Sequence, residues 1–229
     1  MWDPAVDSLV PAKFSKENLR GKQVCKKFLQ KKSGLPRTSV PLIGIISRLA
    51  DQKGFDLIAQ IVNELMEEDV QIVVLGTGDP RYETLFSDIG KRFPDKVAVN
   101  MTFDNQLAHE IEAGSDLFLM PSKYEPCGLN QLYSLRYGTV PVVRETGGLA
   151  DTVVDATPAA IADGTATGFS FSEYSATALL ATIRRALKLY ENRRVWLKIV
   201  RNGMAQDWSW GRSAREYVEL YESLLTKRS

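Results

Sequence analysis

Short apolar runs alternate with amphipathic stretches through the middle of the chain. Each run is apolar throughout and rich in β-branched residues, which predicts a strand buried on both faces. The strands predicted in this way are 42–46, 71–75, 97–99, 116–120 and 140–143. The intervening stretches have apolar residues at helical spacing and predict helices at 55–66, 81–93, 105–113 and 128–137.

The two ends of the chain have a different pattern. Residues 16–29 predict a helix with Leu19, Val24 and Phe28 on its apolar side. Beyond residue 170 the pattern predicts helices at 176–190 and 195–204, and then a last helix with an apolar stripe from Tyr217 to Leu224. We interpret this stripe and the preceding Trp208 and Trp210 as packing residues rather than as a sugar platform.

Strict alternation of strands and helices predicts an α/β fold, an open, doubly wound parallel sheet covered by helices on both faces. In such sheets ligands bind beyond the carboxyl ends of the strands. The loops that follow residues 46, 75, 99, 120 and 143 should therefore share one edge of the sheet.

The amino-acid composition limits which classes of molecule the chain is expected to bind. The 229 residues are 44% hydrophobic and 25% charged, and 29 basic against 28 acidic residues leave a formal charge of +1. This balance gives no electrostatic reason to expect nucleic acid or a membrane as partner. Cys25 and Cys127 form no metal-binding or disulfide pattern, so we expect no metal, and no run suggests a membrane span or a signal peptide. The single histidine, His109, is interpreted as structural.

Two cations, Arg48 and Lys53, occupy the loop between the first strand and its helix. A helix N-terminus offers free N–H groups and partial positive charge, so the loop could hold a diphosphate. Solvated surface charges remain an equally weighted alternative at this point.

The loop after the fourth strand carries Glu125, just before a predicted helix that begins at Gly128. Backbone N–H groups of residues 128–130 could hold a phosphate oxygen, and Glu125 could accept hydrogen bonds from sugar hydroxyls. Alternatively, Glu125 only favours the helix dipole, a contribution of roughly 0.3–1 kcal/mol.

Paired glycines, Gly147 and Gly148, follow the fifth strand. Without a Cβ they allow close approach of the backbone to a ligand. They are equally compatible with an ordinary tight turn.

Taken together, these loops resemble the C-terminal half of bacterial glycogen synthases and plant starch synthases, of glycosyltransferase family 5 type. The match runs from about Trp2 to the last helix, and its Glu-Pro-Cys-Gly-Leu block at 125–129 is highly specific. The other blocks, in the family's order, are Ser-Arg-Leu at 47–49, Gln-Lys-Gly at 52–54, Pro-Ser at 121–122, Gln-Leu-Tyr at 131–133, Tyr-Gly-Thr at 137–139, Thr-Gly-Gly-Leu at 146–149, Asp-Thr-Val at 151–153 and Thr-Gly-Phe at 167–169.

The resemblance implies one Rossmann-like half of a two-domain GT-B enzyme, a retaining glucosyltransferase that elongates α-1,4-glucan from ADP-glucose or UDP-glucose. It implies no metal or other cofactor, because cationic side chains neutralise the diphosphate. It also implies a location in the cytoplasm for a bacterial protein and in the plastid for a plant protein.

The resemblance also assigns roles residue by residue. Arg48 and Lys53 match the basic pair on the donor diphosphate, and Glu125 matches the acidic residue beside the glucosyl ring. Tyr133 stands where wider GT-B relatives carry a ribose-binding glutamate, which leaves the ribose contact unassigned. The remaining residues expected at the donor are Phe103 on the base, then Cys127, Gly128, Leu129, Asn130, Thr146, Gly147 and Gly148.

The resemblance divides the chain into three parts. Residues 1–39 are the interdomain segment that leads into the domain, 40–204 the nucleotide-sugar-binding domain, and 205–229 a helix that would pack on an N-terminal domain. Since the Lys-x-Gly-Gly-Leu loop of that domain is missing, we expect donor binding and no turnover by this chain. The alternatives are a non-catalytic carbohydrate- or protein-binding module, or another GT-B enzyme, such as a nucleotide-sugar epimerase or a phosphorylase.

Overall fold

The computed structural model describes residues 2–226. Its centre is a six-stranded sheet in the order β3-β2-β1-β4-β5-β6. Every neighbouring pair of strands is parallel. The strands are β1 (Leu42–Ile46), β2 (Gln71–Leu75), β3 (Val97–Asn100), β4 (Leu117–Met120), β5 (Val140–Arg144) and β6 (Phe169–Phe171).

Helices connect the strands and cover both faces of the sheet. They are α1 (Arg20–Lys32), α2 (Phe55–Leu65), α3 (Pro80–Arg92), α4 (Asn105–Gly114), α5 (Asn130–Arg136), α6 (Gly147–Thr152), α7 (Pro158–Asp163), α8 (Ala176–Glu191), α9 (Arg193–Met204) and α10 (Trp210–Thr226). A 3-10 turn, Asp51–Lys53, precedes α2.

Strand β1 shows how the two faces are packed. Ile43 and Ile45 belong to one apolar cluster together with residues of α2 and α8. Leu42 belongs to a second cluster, which includes Ile111 of α4. Gly44 lets α4 approach closely, because a Cβ there would lie 2.7 Å from the Ile111 side chain. Helices on both sides therefore explain why the strand sequence is apolar throughout.

The predicted alternation is confirmed, and strands 42–46 and 71–75 have the predicted bounds. The other three predicted strands differ from the observed strands by one residue at one end. The short strand β6 and helices α6 and α7 were not predicted. The helix predicted from residue 128 begins instead at Asn130, because Gly128 has a left-handed backbone with φ of +73°.

Helix α1 buries a different side from the predicted one. Val24 and Phe28 are exposed, whereas Lys22 and Lys26 are buried. The Lys22 ammonium donates to the carbonyl oxygens of Ala113 and Tyr137, and that of Lys26 lies 2.6 Å from Asp116 Oδ2. These partners replace the water that a buried cation loses, so two lysines are buried on a side of α1 other than the predicted apolar side.

The aromatic residues of the C-terminal tail do not form the predicted core. Trp210 is 90% exposed, and Tyr217 and Tyr221 are about equally exposed, 61% and 60%. The centroids of the Tyr217 and Tyr221 rings lie 6.3 Å apart. Helix α10 therefore presents an apolar stripe outward. Among the described residues, no helix is long and apolar enough to cross a membrane.

Candidate functional site

The order of the sheet reverses direction between β1 and β4. Strand β1 pairs with β2 on one side and with β4 on the other, so the chain crosses from one half of the sheet to the other at this point. Doubly wound sheets form a ligand crevice beyond the carboxyl ends of such a strand pair. A cavity of about 400 Å³ lies here, lined by residues that follow β1 and β4.

The cavity brings together all three predicted catalytic residues. Arg48, Lys53 and Glu125 line it, together with the predicted donor residues Gly128, Leu129 and Asn130. Within residues 2–226, the exposed guanidinium of Arg48 forms no ion pair with a carboxylate. Its charge is available to an anion in the crevice.

The ammonium of Lys53 lies 2.6 Å from Glu125 Oε2. The hydroxyl of Ser122 donates to the same oxygen over 3.3 Å. The side chain of Glu125 is only 10% exposed and that of Lys53 is 22% exposed, so the pair lies in the wall of the cavity. The sequence predicted that both residues belong to the site, but not that they form an ion pair.

The backbone holds the loops of Lys53 and Glu125 together. Gly54 has φ of +75°, and a Cβ there would lie 2.0 Å from the carbonyl oxygen of Pro121. The N–H of Lys123 donates to the Gln52 carbonyl, and the Gln52 amide donates to the Tyr124 carbonyl. Glycine at position 54 is thus required both by its conformation and by the lack of space.

The start of α5 is fixed from inside the crevice. The amide of Asn130 donates to the Ile46 carbonyl at the end of β1. The amide of Gln131 donates to the carbonyls of Cys127 and Gly128. Residues 128–130 therefore line the cavity as a turn, left-handed at Gly128 alone, that leads into a short helix, and not as the first turn of a helix that begins at Gly128.

The glycine loop after β5 lies behind Glu125 and outside the cavity lining. The N–H of Gly148 donates to the Glu125 carbonyl over 3.1 Å. A Cβ on Gly147 would lie 2.2 Å from that same oxygen. Gly147 and Gly148 thus support the Glu125 loop, and Thr146 precedes them. Their predicted contact with a donor stays a prediction.

Two other predicted donor residues also lie outside the cavity lining. Phe103 is 89% exposed, between β3 and α4. Cys127 is exposed and carries a free thiol, as does the buried Cys25. Among residues 2–226, no group of histidine, cysteine or acidic side chains is arranged to hold a metal ion. The roles of Phe103 and Cys127 at a donor remain predictions.

Tyr133 and His109 belong to a stack of rings rather than to the crevice. The indole of Trp2 lies between them, with its centroid 4.3 Å from that of Tyr133 and 3.6 Å from that of His109. His109 Nδ1 also contacts the Asp7 carboxylate at 2.7 Å. Burial alone would raise the pKa of Asp7, but hydrogen bonds, the strongest from Tyr137, hold it below its usual value. The structural interpretation of His109 is therefore confirmed.

A larger cavity, of about 940 Å³, lies at the opposite edge of the sheet. It is lined by residues that precede β1 and β2 and by the end of α8, and it contains none of the predicted donor residues. Because ligands of doubly wound sheets bind at the carboxyl edge, the smaller cavity is the candidate site.

A parallel sheet in the order 3-2-1-4-5-6, with a crevice at its reversal point, defines a doubly wound fold of the Rossmann type. Residues 26–202 match the family model for group 1 glycosyl transferases. The chain belongs to this family, and its fold is that of a GT-B C-terminal domain.

Similar curated proteins are glycogen synthases. That of Koribacter versatilis is 52% identical over 221 residues, which are 96% of this chain and 45% of the relative. That of Anaeromyxobacter dehalogenans strain 2CP-C is 55% identical over 226 residues, 97% of this chain and 46% of the relative. The chain thus spans about half the length of the curated relatives it matches.

Solved structures show the same fold. The catalytic domain of starch synthase IV from Arabidopsis thaliana, bound to ADP and acarbose, is 37% identical with a TM-score of 0.89; the match covers 97% of this chain and 46% of that one. A C-terminal domain of a group 1 glycosyl transferase from Francisella tularensis has a TM-score of 0.58 over 78% of this chain and 89% of that domain. At 18% identity, the second match concerns the fold alone.

Proposed function

We propose that this chain binds the nucleotide-sugar donor, ADP-glucose or UDP-glucose, of a retaining glucosyltransferase that elongates α-1,4-glucan. The observation that carries the proposal is the convergence of Arg48, Lys53 and Glu125 on one crevice at the reversal point of the sheet. Two cations suit a diphosphate, and a carboxylate beside them suits sugar hydroxyls. The likeness to glycogen synthases supports the choice of sugar and acceptor.

In the proposed reaction, the bond between the anomeric carbon and the diphosphate oxygen breaks, and its electron pair leaves with the nucleoside diphosphate. Arg48 and Lys53 stabilise the charge that develops on this leaving group, which replaces the usual need for a metal. The 4-hydroxyl oxygen at the end of the glucan then bonds to the anomeric carbon with retention of configuration, and its proton passes to the departing diphosphate oxygen. Glu125 holds the sugar hydroxyls and supports positive charge at the anomeric carbon.

The ion pair of Lys53 with Glu125 is compatible with this role. An ammonium has three N–H donors, so Lys53 can hold a phosphate oxygen and keep one bond to Glu125. The diphosphate and the first sugar of the donor would then lie on adjacent sides of the same pair. The pair therefore connects the part of the site that binds charge with the part that binds sugar.

We propose that the acceptor binds between this domain and an N-terminal GT-B domain. The chain spans about half of its curated relatives, and α10 exposes an apolar stripe suited to a covering domain. We expect no glucan elongation by this chain alone, and we place the whole protein in the bacterial cytoplasm by analogy with its bacterial relatives. Two free cysteines are compatible with a reducing compartment.

Titration calorimetry with ADP, UDP, ADP-glucose and UDP-glucose tests the proposal directly. We expect either ADP and ADP-glucose or UDP and UDP-glucose to bind. Their affinity should be the same with and without EDTA, because the proposed site needs no metal. Lys53→Ala should weaken binding of the diphosphate about tenfold or more, the usual effect of losing a charge-assisted hydrogen bond. Absence of binding by all four ligands at millimolar concentration would contradict the proposal and favour a non-catalytic binding module.

A further inference from the structure

Arg144, the last residue of β5, binds three backbone carbonyl groups. Its Nε donates to Ser122 over 3.1 Å, its Nη2 to Lys123 over 2.6 Å and its Nη1 to Ser172 over 3.1 Å. Within residues 2–226 its guanidinium has no carboxylate partner. A cation held entirely by neutral carbonyl groups acts as a clamp on the backbone rather than as half of an ion pair.

Two of the three carbonyls belong to the loop that carries Glu125. The planar guanidinium has donors in a fixed fork, so binding Ser122 and Lys123 together fixes the orientation of consecutive peptide groups. The hydroxyl of Ser122 is itself 3.3 Å from the Glu125 carboxylate. A rotation of either peptide would therefore move the carboxylate in the cavity.

Arg144 itself rests on a second set of contacts. Its guanidinium carbon lies 5.5 Å from the ring centroid of Tyr174. The Tyr174 hydroxyl donates to Asp56 Oδ1 in α2 over 2.6 Å. On the other side, Gln52 binds the backbone of Lys123 and Tyr124. The loop that carries Glu125 is thus held by Arg144 on one flank and by Gln52 on the other. Of these two residues, only Gln52 lines the cavity.

We propose that Arg144 is a positioning residue for the donor sugar. It acts through the backbone of Ser122 and Lys123, and it keeps the Glu125 carboxylate oriented towards the sugar hydroxyls. The proposal rests on the proposed function, and it divides the crevice into a diphosphate part that depends on Lys53 and a sugar part that depends on Arg144.

A brace that only stabilises the fold would weaken every ligand alike, or none. The positioning role predicts a selective loss, because the nucleoside diphosphate lacks the sugar that Glu125 would hold. The decisive readout is the ratio of dissociation constants for a nucleotide sugar and its own nucleoside diphosphate.

The test compares Arg144→Lys and Arg144→Met in the 229-residue chain. Lysine keeps the charge but lacks the planar fork that binds the Ser122, Lys123 and Ser172 carbonyls in fixed directions, so both variants lose the clamp. The matched control is Arg184→Met, since the Arg184 guanidinium binds Glu68 at the opposite edge of the sheet. Titration calorimetry is run with ADP and ADP-glucose and, in parallel, with UDP and UDP-glucose.

For the nucleotide that the parent chain binds, both Arg144 variants should weaken binding of the nucleotide sugar about tenfold, the loss expected when a polar contact is misplaced. The dissociation constant of the nucleoside diphosphate should change by less than about twofold. Hydrogen exchange of the amides in residues 121–127 should become faster in these variants only. Arg184→Met should leave both the ratio and this exchange unchanged.

An unchanged ratio, or equal weakening of both ligands, overturns the positioning role while leaving the proposed function intact. Failure of the parent chain to bind any nucleotide ends the proposed function itself, and the inference with it. If the Arg144 variants do not fold, Tyr174→Leu decides, because it removes the ring beneath the guanidinium and the bond to Asp56 but leaves the three carbonyl groups that Arg144 binds. It should shift the ratio in the same direction by about threefold, within the range of a cation–π contact; no shift overturns the role.

Discussion

The Lys53 ammonium lies 2.6 Å from the Glu125 carboxylate, although 72 positions separate them in sequence. The pair joins the loop after β1 to the loop after β4, the two strands between which the sheet reverses. Both side chains are mostly buried, so each charge depends on the other for the solvation it has lost. This relationship places the cationic and acidic parts of the crevice side by side.

The ion pair predicts non-additive effects on stability. Lys53→Met and Glu125→Gln should each lower the free energy of unfolding by about 1–3 kcal/mol, because each leaves a buried polar partner unsatisfied. The double variant should lose less than the sum of the two. Urea unfolding of the four proteins measures the coupling, and strictly additive losses would show that the two groups act independently.

The close approach at Gly54 predicts a large effect of a single methyl group. Gly54→Ala should destabilise by at least about 3 kcal/mol, since a left-handed backbone and a clash with the Pro121 carbonyl act together. Gly34 offers a matched control, because its φ of +71° is nearly the same but a Cβ there meets nothing within 4 Å. Gly34→Ala should cost only about 1 kcal/mol. Equal losses in thermal or urea unfolding would show that strain, and not the clash, sets the effect.

Buried Glu112 predicts an unusual dependence of stability on pH. Burial raises the pKa of Glu112 from 4.5 to about 8, despite the hydrogen bond from Ser134. Between these values the folded chain keeps a proton that the unfolded chain has lost, so the free energy of unfolding falls as pH rises from about 4.5 to about 8.

Glu112→Gln removes this titration and keeps the shape of the side chain. The fall in the free energy of unfolding between pH 5 and pH 8 should become smaller, by an amount on the order of 3 kcal/mol. Urea unfolding at several pH values measures it. An identical slope in the variant would mean that Glu112 is ionised in the folded chain.

The exposed apolar residues of α10 are predicted to contribute little to the stability of this chain. Leu220 and Leu224 are 51% and 53% exposed, so replacing both with serine should change the free energy of unfolding by less than about 1 kcal/mol. The same change should reduce any self-association, because it removes apolar area from the surface. Sedimentation and thermal unfolding check the two effects, and a large loss of stability would indicate that the stripe is buried in solution.

The sheet and the location of its site could be predicted from the sequence, because both follow from local patterns. A strand covered on both faces is apolar throughout, which identified β1 and β2 to the residue. Strand β6 was missed, since its sequence, Phe169–Phe171, is interrupted by Ser170 and contains no β-branched residue. The apolar side of α1 was wrong because carbonyl groups distant in sequence solvate Lys22 and Lys26.

Contacts between distant loops were the part that local patterns could not predict. The Lys53–Glu125 pair and the clamp formed by Arg144 depend on the register of strands far apart in the chain. The start of α5 was placed too early, because nothing local distinguishes a glycine that begins a helix from one held at φ of +73° by its surroundings. Arg144 directly follows the predicted strand 140–143, so the sequence did place it at the edge of the sheet where the site lies.

We propose above all that a nucleoside diphosphate occupies the crevice between β1 and β4. A crystal structure of the chain with ADP-glucose or UDP-glucose tests it most directly. We predict the diphosphate within hydrogen-bonding distance of Arg48 and Lys53, beside residues 128–130, with the glucose against Glu125. A diphosphate bound instead in the 940 Å³ cavity at the opposite edge, with the crevice empty, would contradict the account.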